Sequence, residues 1–138
     1  MSKDWYQDVA DFHKDVAGDS FPNTPYTPNK QLRELRMELI REEVQETIDA
    51  IATHPNDLAL VADGIGDSIV VLLGTAVTYG IDMRPIWDII HKTNMAKKGG
   101  KLREDGKLLK PDKWQPPDIQ SEIEKQQKRQ HNEMVQDA

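Results

Sequence analysis

No cysteine occurs among the 138 residues, which excludes disulfides, thiolate metal sites and a cysteine nucleophile. Positive charge is also short: 18 Lys and Arg stand against 24 Asp and Glu, a formal net charge of −6. That balance favours solubility and argues against a nucleic-acid surface, which needs clustered Lys and Arg. Long apolar runs are missing as well. The longest uncharged stretch, Ser68 to Ile81, falls short of a bilayer span and fits a buried core helix, so no membrane partner is expected. No apolar stretch follows Met1-Ser2-Lys3-Asp4-Trp5, so a signal peptide is not expected and a reducing, cytoplasmic setting is. Leu, Ile, Val and Phe supply 31 residues, and 21 of them lie between Leu32 and Ile90. One domain with a small, concentrated core follows, and its flanks must lean on that core or on a partner.

What is present is helical periodicity. Trp5, Val9, Phe12 and Val16 recur at three- and four-residue steps, predicting a first helix over Lys3–Ala17 that Gly18 stops. Three prolines between Asp19 and Asn29 make a connector. From Gln31 the period returns in Leu32, Leu35, Leu39, Ile40, Val44, Ile48 and Ile51, ending by His54 before Pro55. Asn56 or Asp57 caps a third helix that reaches Tyr79, with Gly80 as its left-handed terminator. Asp82 caps a fourth helix running towards Met95. Lys101–Lys110 turns around Asp105-Gly106 as a two-stranded hairpin or a simple turn, and Pro111, Pro116 and Pro117 form a second connector. The Gln-rich end carries a thin stripe of Ile119, Ile123 and Met134 and reads as a helical arm or a frayed tail. The predicted fold is all-α: an antiparallel four-helix core in residues 1–117, completed by homo-oligomerisation, and a C-terminal arm in residues 118–138. The third helix is apolar on more faces than two neighbours can cover, so a homodimer is expected and a tetramer would be natural.

Two acidic features depart from this pattern. Glu38, Glu42, Glu43 and Glu46 crowd nine residues of the second helix, where neighbours at i,i+3 and i,i+4 repel. A solvated acidic face is the simplest account, with Arg36 and Arg41 offsetting part of the repulsion. The third helix then adds Asp63 and Asp67, its only charges between Asp57 and Asp82, one turn apart on one face. Two carboxylates on an otherwise apolar helix need compensation, and no Lys or Arg lies near them in sequence. A divalent cation shared between the two helices satisfies all of them. Carboxylates without a soft ligand select a hard ion, Mg²⁺ or Mn²⁺. Downstream, His91-Lys92-Thr93-Asn94-Met95-Ala96-Lys97-Lys98-Gly99-Gly100-Lys101 supplies cations beside the acidic site, as a polyphosphate substrate requires. The plainer alternative is a lysine-decorated helix end with a Gly-Gly cap.

The ordered set resembles the all-α NTP pyrophosphohydrolase superfamily, the MazG-like and phosphoribosyl-ATP pyrophosphohydrolase group. Glu42-Glu43-Val44-Gln45-Glu46 is similar to its E-E-x-x-E, and Gly64-Ile65-Gly66-Asp67 aligns with its E-x-x-D. Leu73–Ala76 with Gly80-Ile81-Asp82, His91–Lys97, Asp105-Gly106-Lys107 and Pro116–Ile119 are similar to stretches of its phage and bacterial branch. The departure is Gly64, where the family has Glu; Asp63 stands beside it. The resemblance implies hydrolysis of a nucleoside triphosphate to the monophosphate and pyrophosphate. It implies Glu43, Glu46 and Asp67 as ligands of two or more metal ions, with Asp63 standing in for the missing Glu. Glu42 would orient or deprotonate the attacking water, and Asn94, Lys97 and Lys110 would hold the substrate, Lys97 also neutralising the leaving group. Guanine nucleotides are slightly favoured by analogy with phage members. Competing readings are a dUTP or phosphoribosyl-ATP pyrophosphohydrolase, and a non-catalytic acidic helical module that binds a partner protein. No P-loop pattern is present, so direct attack by a metal-bound water is the simplest mechanism.

Overall fold

The computed structural model describes residues 3–137, and side chains through residue 129. It is all-helical: α1 (Trp5–Asp15), α2 (Lys30–Thr53), α3 (Leu58–Thr78), α4 (Met83–Met95) and α5 (Ile119–Asp137). Among the described residues the hairpin expected over Lys101–Lys110 reduces to one antiparallel bridge between Leu102 and Leu108. The chain divides into two compact units, Met1–Asp82 and Met83–Ala138.

In the first unit the helix starts are set by side-chain caps. Asp4 accepts from the Gln7 amide at 3.0 Å, Asn29 from Leu32 at 2.9 Å and Asp57 from Leu60 at 3.0 Å. Each cap satisfies an amide that the first helical turn leaves without a partner. The first helix is therefore shorter at both ends than its periodicity suggests. The end of α3 is fixed by Gly80, at φ +67°. A Cβ there would lie 2.3 Å from the Thr24 carbonyl oxygen, so the proline connector passes directly over this position. Tyr26 donates its amide to Tyr79 O at 3.1 Å, tying that connector to the helix end.

The four-residue turn after Thr53 sends α3 back antiparallel along α2. The face that α2 turns to α3 is not its apolar one. Arg36, Ile40, Glu43, Thr47 and Ala50 follow at steps of three and four and are shielded, whereas Leu35, Ile48 and Ile51 of the expected core stripe are each about half exposed. The seam is polar. Arg36 donates to Val71 O at 2.8 Å and to Thr75 Oγ1 at 3.1 Å, and Thr47 Oγ1 meets Ser68 Oγ at 3.0 Å. From α1, His13 reaches the same region and pairs with Asp19 through Nδ1 at 2.8 Å. Burial pulls the Arg36 guanidinium below its usual range, and the Asp19 charge pushes it back up.

The expectation that α3 is buried holds only for its last turns. Gly74, Ala76 and Thr78 are buried, but Leu58, Ile65 and Leu72 stand 77, 47 and 50% exposed. By length and composition α3 also reaches the threshold for crossing a membrane, with a mean hydropathy of 1.7. The uncharged run understates its apolar length because Asp63 and Asp67 interrupt it.

In the second unit, Pro85 sits in the first turn of α4, where no amide donor is required. Asp118 caps α5, accepting from the Ser121 amide at 3.1 Å and its hydroxyl at 2.6 Å. The buried positions of α5 are Glu122 and Gln126, with Ile119 and Ile123 half-covered beside them, so the arm's face is more polar than its isoleucines suggest. The side chain of Met134, the last member of the expected stripe, lies outside the described residues.

Gly74→Ala tests the seam. Its Cβ would fall 2.6 Å from His13 Nε2 and 2.7 Å from an Arg36 guanidinium nitrogen, and both groups are held by other bonds. Overpacking of this kind is expected to cost about 1–3 kcal/mol in urea melts.

Candidate metal centre

The acidic residues lie where α2 and α3 run side by side. Glu43, one turn before Thr47, is on the shielded stripe of α2, and Glu42 and Glu46 flank it on the exposed side. Thr47 donates back to Glu43 O at 2.9 Å while contacting Ser68, next to Asp67 on α3, so one hydroxyl fixes the register between the two helices. Glu43 Oε2 is buried without a hydrogen-bond partner. Its carboxyl is held above the usual glutamate range by desolvation first, then by the charges of Glu46 and Asp67. A hydrogen bond to Glu46 and the Glu42 charge add to that rise.

No Lys or Arg among the described residues relieves this crowding. The two arginines expected to offset it are committed elsewhere: Arg41 pairs with Glu38, and Arg36 is bonded to α3 in the core. Among the described residues, no Lys or Arg forms an ion pair with Glu42, Glu43, Glu46, Asp63 or Asp67. Nor do three carboxylates among the described residues converge into a formed cation cage. The donor set nevertheless suits a hard divalent ion. It consists of oxygen ligands only, one of them orphaned, and its outer members are exposed side chains free to swing.

Asp63 is exposed and is not among the charges that act on Glu43. Its neighbour Gly64 explains the departure from E-x-x-D. A Cβ at Gly64 would meet Thr47 Oγ1 at 2.8 Å and Thr47 Cα at 3.1 Å. The position faces the backbone of α2, so a glutamate cannot be accommodated there without parting the helices.

Asn94, Lys97 and Lys110 belong to the second unit. Asn94 is exposed in the last turn of α4. Lys97 and Lys110 stand over the ring of Trp114, 5.3 and 4.9 Å from its centroid. Trp114 was not singled out from sequence, although a tryptophan between Lys110, Lys113 and three prolines offered the signal.

The profile of the phosphoribosyl-ATP pyrophosphohydrolase family matches residues 9–94, more than half of the chain. The chain belongs to that family, within the MazG-like all-α NTP pyrophosphohydrolase superfamily. Pyrophosphohydrolase chemistry is what the family performs, and its members usually depend on a metal. The match spans every carboxylate of the cluster and Asn94, but stops before Lys97, Lys110 and Trp114. An uncharacterized protein of Acanthamoeba polyphaga mimivirus is 33% identical over 81 residues, covering 56% of this chain. The alignment takes in 32% of that relative's length, so the chain spans about a third of it.

The raised Glu43 carboxyl makes metal-free stability depend on pH. A folded-state value above the unfolded one contributes stability that is complete below the ordinary glutamate range and is lost as pH rises through the raised value. With chelator present, the protein is therefore expected to lose stability from Glu43 as pH rises above the ordinary glutamate range. Glu43→Gln, uncharged throughout, should flatten that slope and melt no lower than the parent at neutral pH. Parallel pH profiles for the two proteins would remove Glu43 from the repelling cluster.

Proposed function

We propose that this chain is a divalent-metal-dependent nucleotide pyrophosphohydrolase that cleaves a nucleoside triphosphate between the α- and β-phosphates. The observation that carries this reading is Glu43, whose buried oxygen lacks a partner while Glu42, Glu46 and Asp67 crowd its carboxyl and no described Lys or Arg pairs with them. Glu43, Glu46 and Asp67 would hold Mg²⁺ or Mn²⁺, and Asp63, one turn from Asp67, would complete the set through its mobile side chain. When bound, such ions lower the pKa of water and offset negative charge on the phosphates. The role of Glu42 is to orient the attacking water and take its proton. Asn94 contacts the sugar or the triphosphate, and Lys97 counters charge on the departing pyrophosphate, with Lys110 as a second ammonium. Guanine nucleotides are the first substrates to try. Phosphoribosyl-ATP is the second reading, favoured by the description of the matching family. A cytoplasmic setting suits either substrate.

Activity against the canonical (d)NTPs and phosphoribosyl-ATP with Mn²⁺, run in ¹⁸O-water, tests the reading. The expected products are the labelled monophosphate and unlabelled pyrophosphate, and NDP with inorganic phosphate would overturn it. Glu43→Gln is expected to lower turnover at least about a hundredfold, as losing a metal-holding or charge-stabilising group does, with the helical signal kept. Near-normal turnover at saturating Mg²⁺ would remove Glu43 from the ligand set.

The same reading includes self-association into a homodimer, or a tetramer of paired dimers. Its support is the bare apolar surface of the first unit: Leu35, Ile48 and Ile51 on α2, and Leu58, Ile65 and Leu72 on α3. Sedimentation at micromolar concentration should show a dimer or larger species, and a stable monomer would count against it.

A further inference from the structure

In the second unit, the segment from Pro111 to Asp118 folds against the C-terminal half of α4 and forms a groove of about 560 Å³. Trp114 anchors it: the indole Nε1–H donates to Thr93 O at 2.7 Å, taking up a carbonyl at the end of a helix. The residue before it, Lys113, is the one described non-glycine residue with positive φ, at +64°. Left-handed geometry is disfavoured for a lysine and is kept here where the chain must turn to present the ring.

Two lysines from separate stretches converge on that ring. Lys97 follows α4, and Lys110 is brought back by the Lys101–Lys110 loop. Leu109 donates its amide to Lys101 O at 2.7 Å, and its carbonyl lies so close to Gly100 that a Cβ there would be 1.9 Å away. The ammonium nitrogens lie 5.3 and 4.9 Å from one centroid, so they are no more than about 10 Å apart. Lys92 and Lys113 line the groove that Trp114 helps to form. Of the acidic residues there, Asp118 is occupied in capping α5, which leaves Asp112. Among the described residues neither Lys97 nor Lys110 forms an ion pair with a carboxylate, and two ammonium groups held near each other call for an anion with more than one charged oxygen. Even at that limit, a diphosphate taking a charge-assisted hydrogen bond of about 2.8 Å at each end reaches from one ammonium to the other. The ring already holds two ammonium groups, which argues for a phosphate chain over a stacked base.

We infer that Trp114 is a positioning residue that gathers Lys97 and Lys110 into a two-ammonium clip for the diphosphate portion of a nucleotide or for free pyrophosphate. This deepens the proposed function and rests on it for the identity of the ligand.

Calorimetric titration of the full chain with inorganic pyrophosphate in chelator reads the clip without turnover. A protein carrying Trp5→Phe and Trp87→Phe reports at Trp114 alone by fluorescence. The expected result is saturable binding that changes Trp114 emission, weakened at least about tenfold by Lys97→Ala or by Lys110→Ala. Trp114→Phe, which keeps a π face, should hold affinity within a few-fold, while Trp114→Leu, with both lysines present, should lose about as much as either lysine variant. No saturable signal overturns the inference, as does a Lys110→Ala protein that binds like the parent, or an emission change with a free nucleoside and none with pyrophosphate. If Trp114→Leu disturbs the fold, Trp114→Phe and Lys110→Ala decide. Pyrophosphate capture by a chain that hydrolyses no triphosphate would sink the hydrolase reading and keep the clip. Hydrolysis with KM and pyrophosphate inhibition unmoved by Lys110→Ala would do the reverse.

Discussion

The close approach of α2 and α3 is the constraint on which the first unit depends. Two long helices joined by a short turn can lie this near only where side chains are small, and Gly64 against Thr47 is that place. The contact brings Glu43 and Asp67 within reach of each other's charge while Thr47 and Ser68 lock the register. It also removes the one position at which the family carries another acid. The crowding of carboxylates and the gap in the motif are thus two results of the same packing.

Much of the architecture was legible before any coordinates. Apolar periodicity showed where the helices lie, and Asp57 and Gly80 marked the two ends of α3, because a cap and a left-handed glycine act locally and do not depend on tertiary context. The facing of the helices was not legible. Hydrophobic periodicity selected Leu32, Leu35, Leu39, Ile40, Val44, Ile48 and Ile51 as the inner stripe of α2; Leu32, Leu39, Ile40 and Val44 are partly covered, but Leu35, Ile48 and Ile51 stay about half exposed, and the shielded stripe carries Arg36, Glu43 and Thr47 beside Ile40. Periodicity reports which face seeks cover and not which neighbour supplies it. The core of the single chain is correspondingly small, with Val9, Ala50, Ala76 and Ile86 as its buried apolar residues among those described.

The candidate site divides along the same line. The carboxylates could be found from composition and spacing, since charges on an apolar helix are conspicuous. What could not be found was the fate of their expected counter-ions. Arg41 turns to Glu38 and Arg36 enters the core, choices that depend on tertiary neighbours. Trp114 was missed for a related reason: its partners Thr93, Lys97 and Lys110 meet it only once two connectors have folded back, and a lone aromatic in a proline-rich stretch shows no periodicity.

Arg36 and Glu43 lie seven residues apart on the same stripe of one uninterrupted helix. The guanidinium grips Val71 O and Thr75 Oγ1, so α2 cannot roll about its axis to adjust the carboxylates without breaking that grip. Adaptation at the acidic cluster is left to side-chain rotation, with the helix acting as a fixed shaft. A screen for inactive variants would then return Arg36 beside the glutamates, although it touches none of the reacting groups and serves only to clock the shaft.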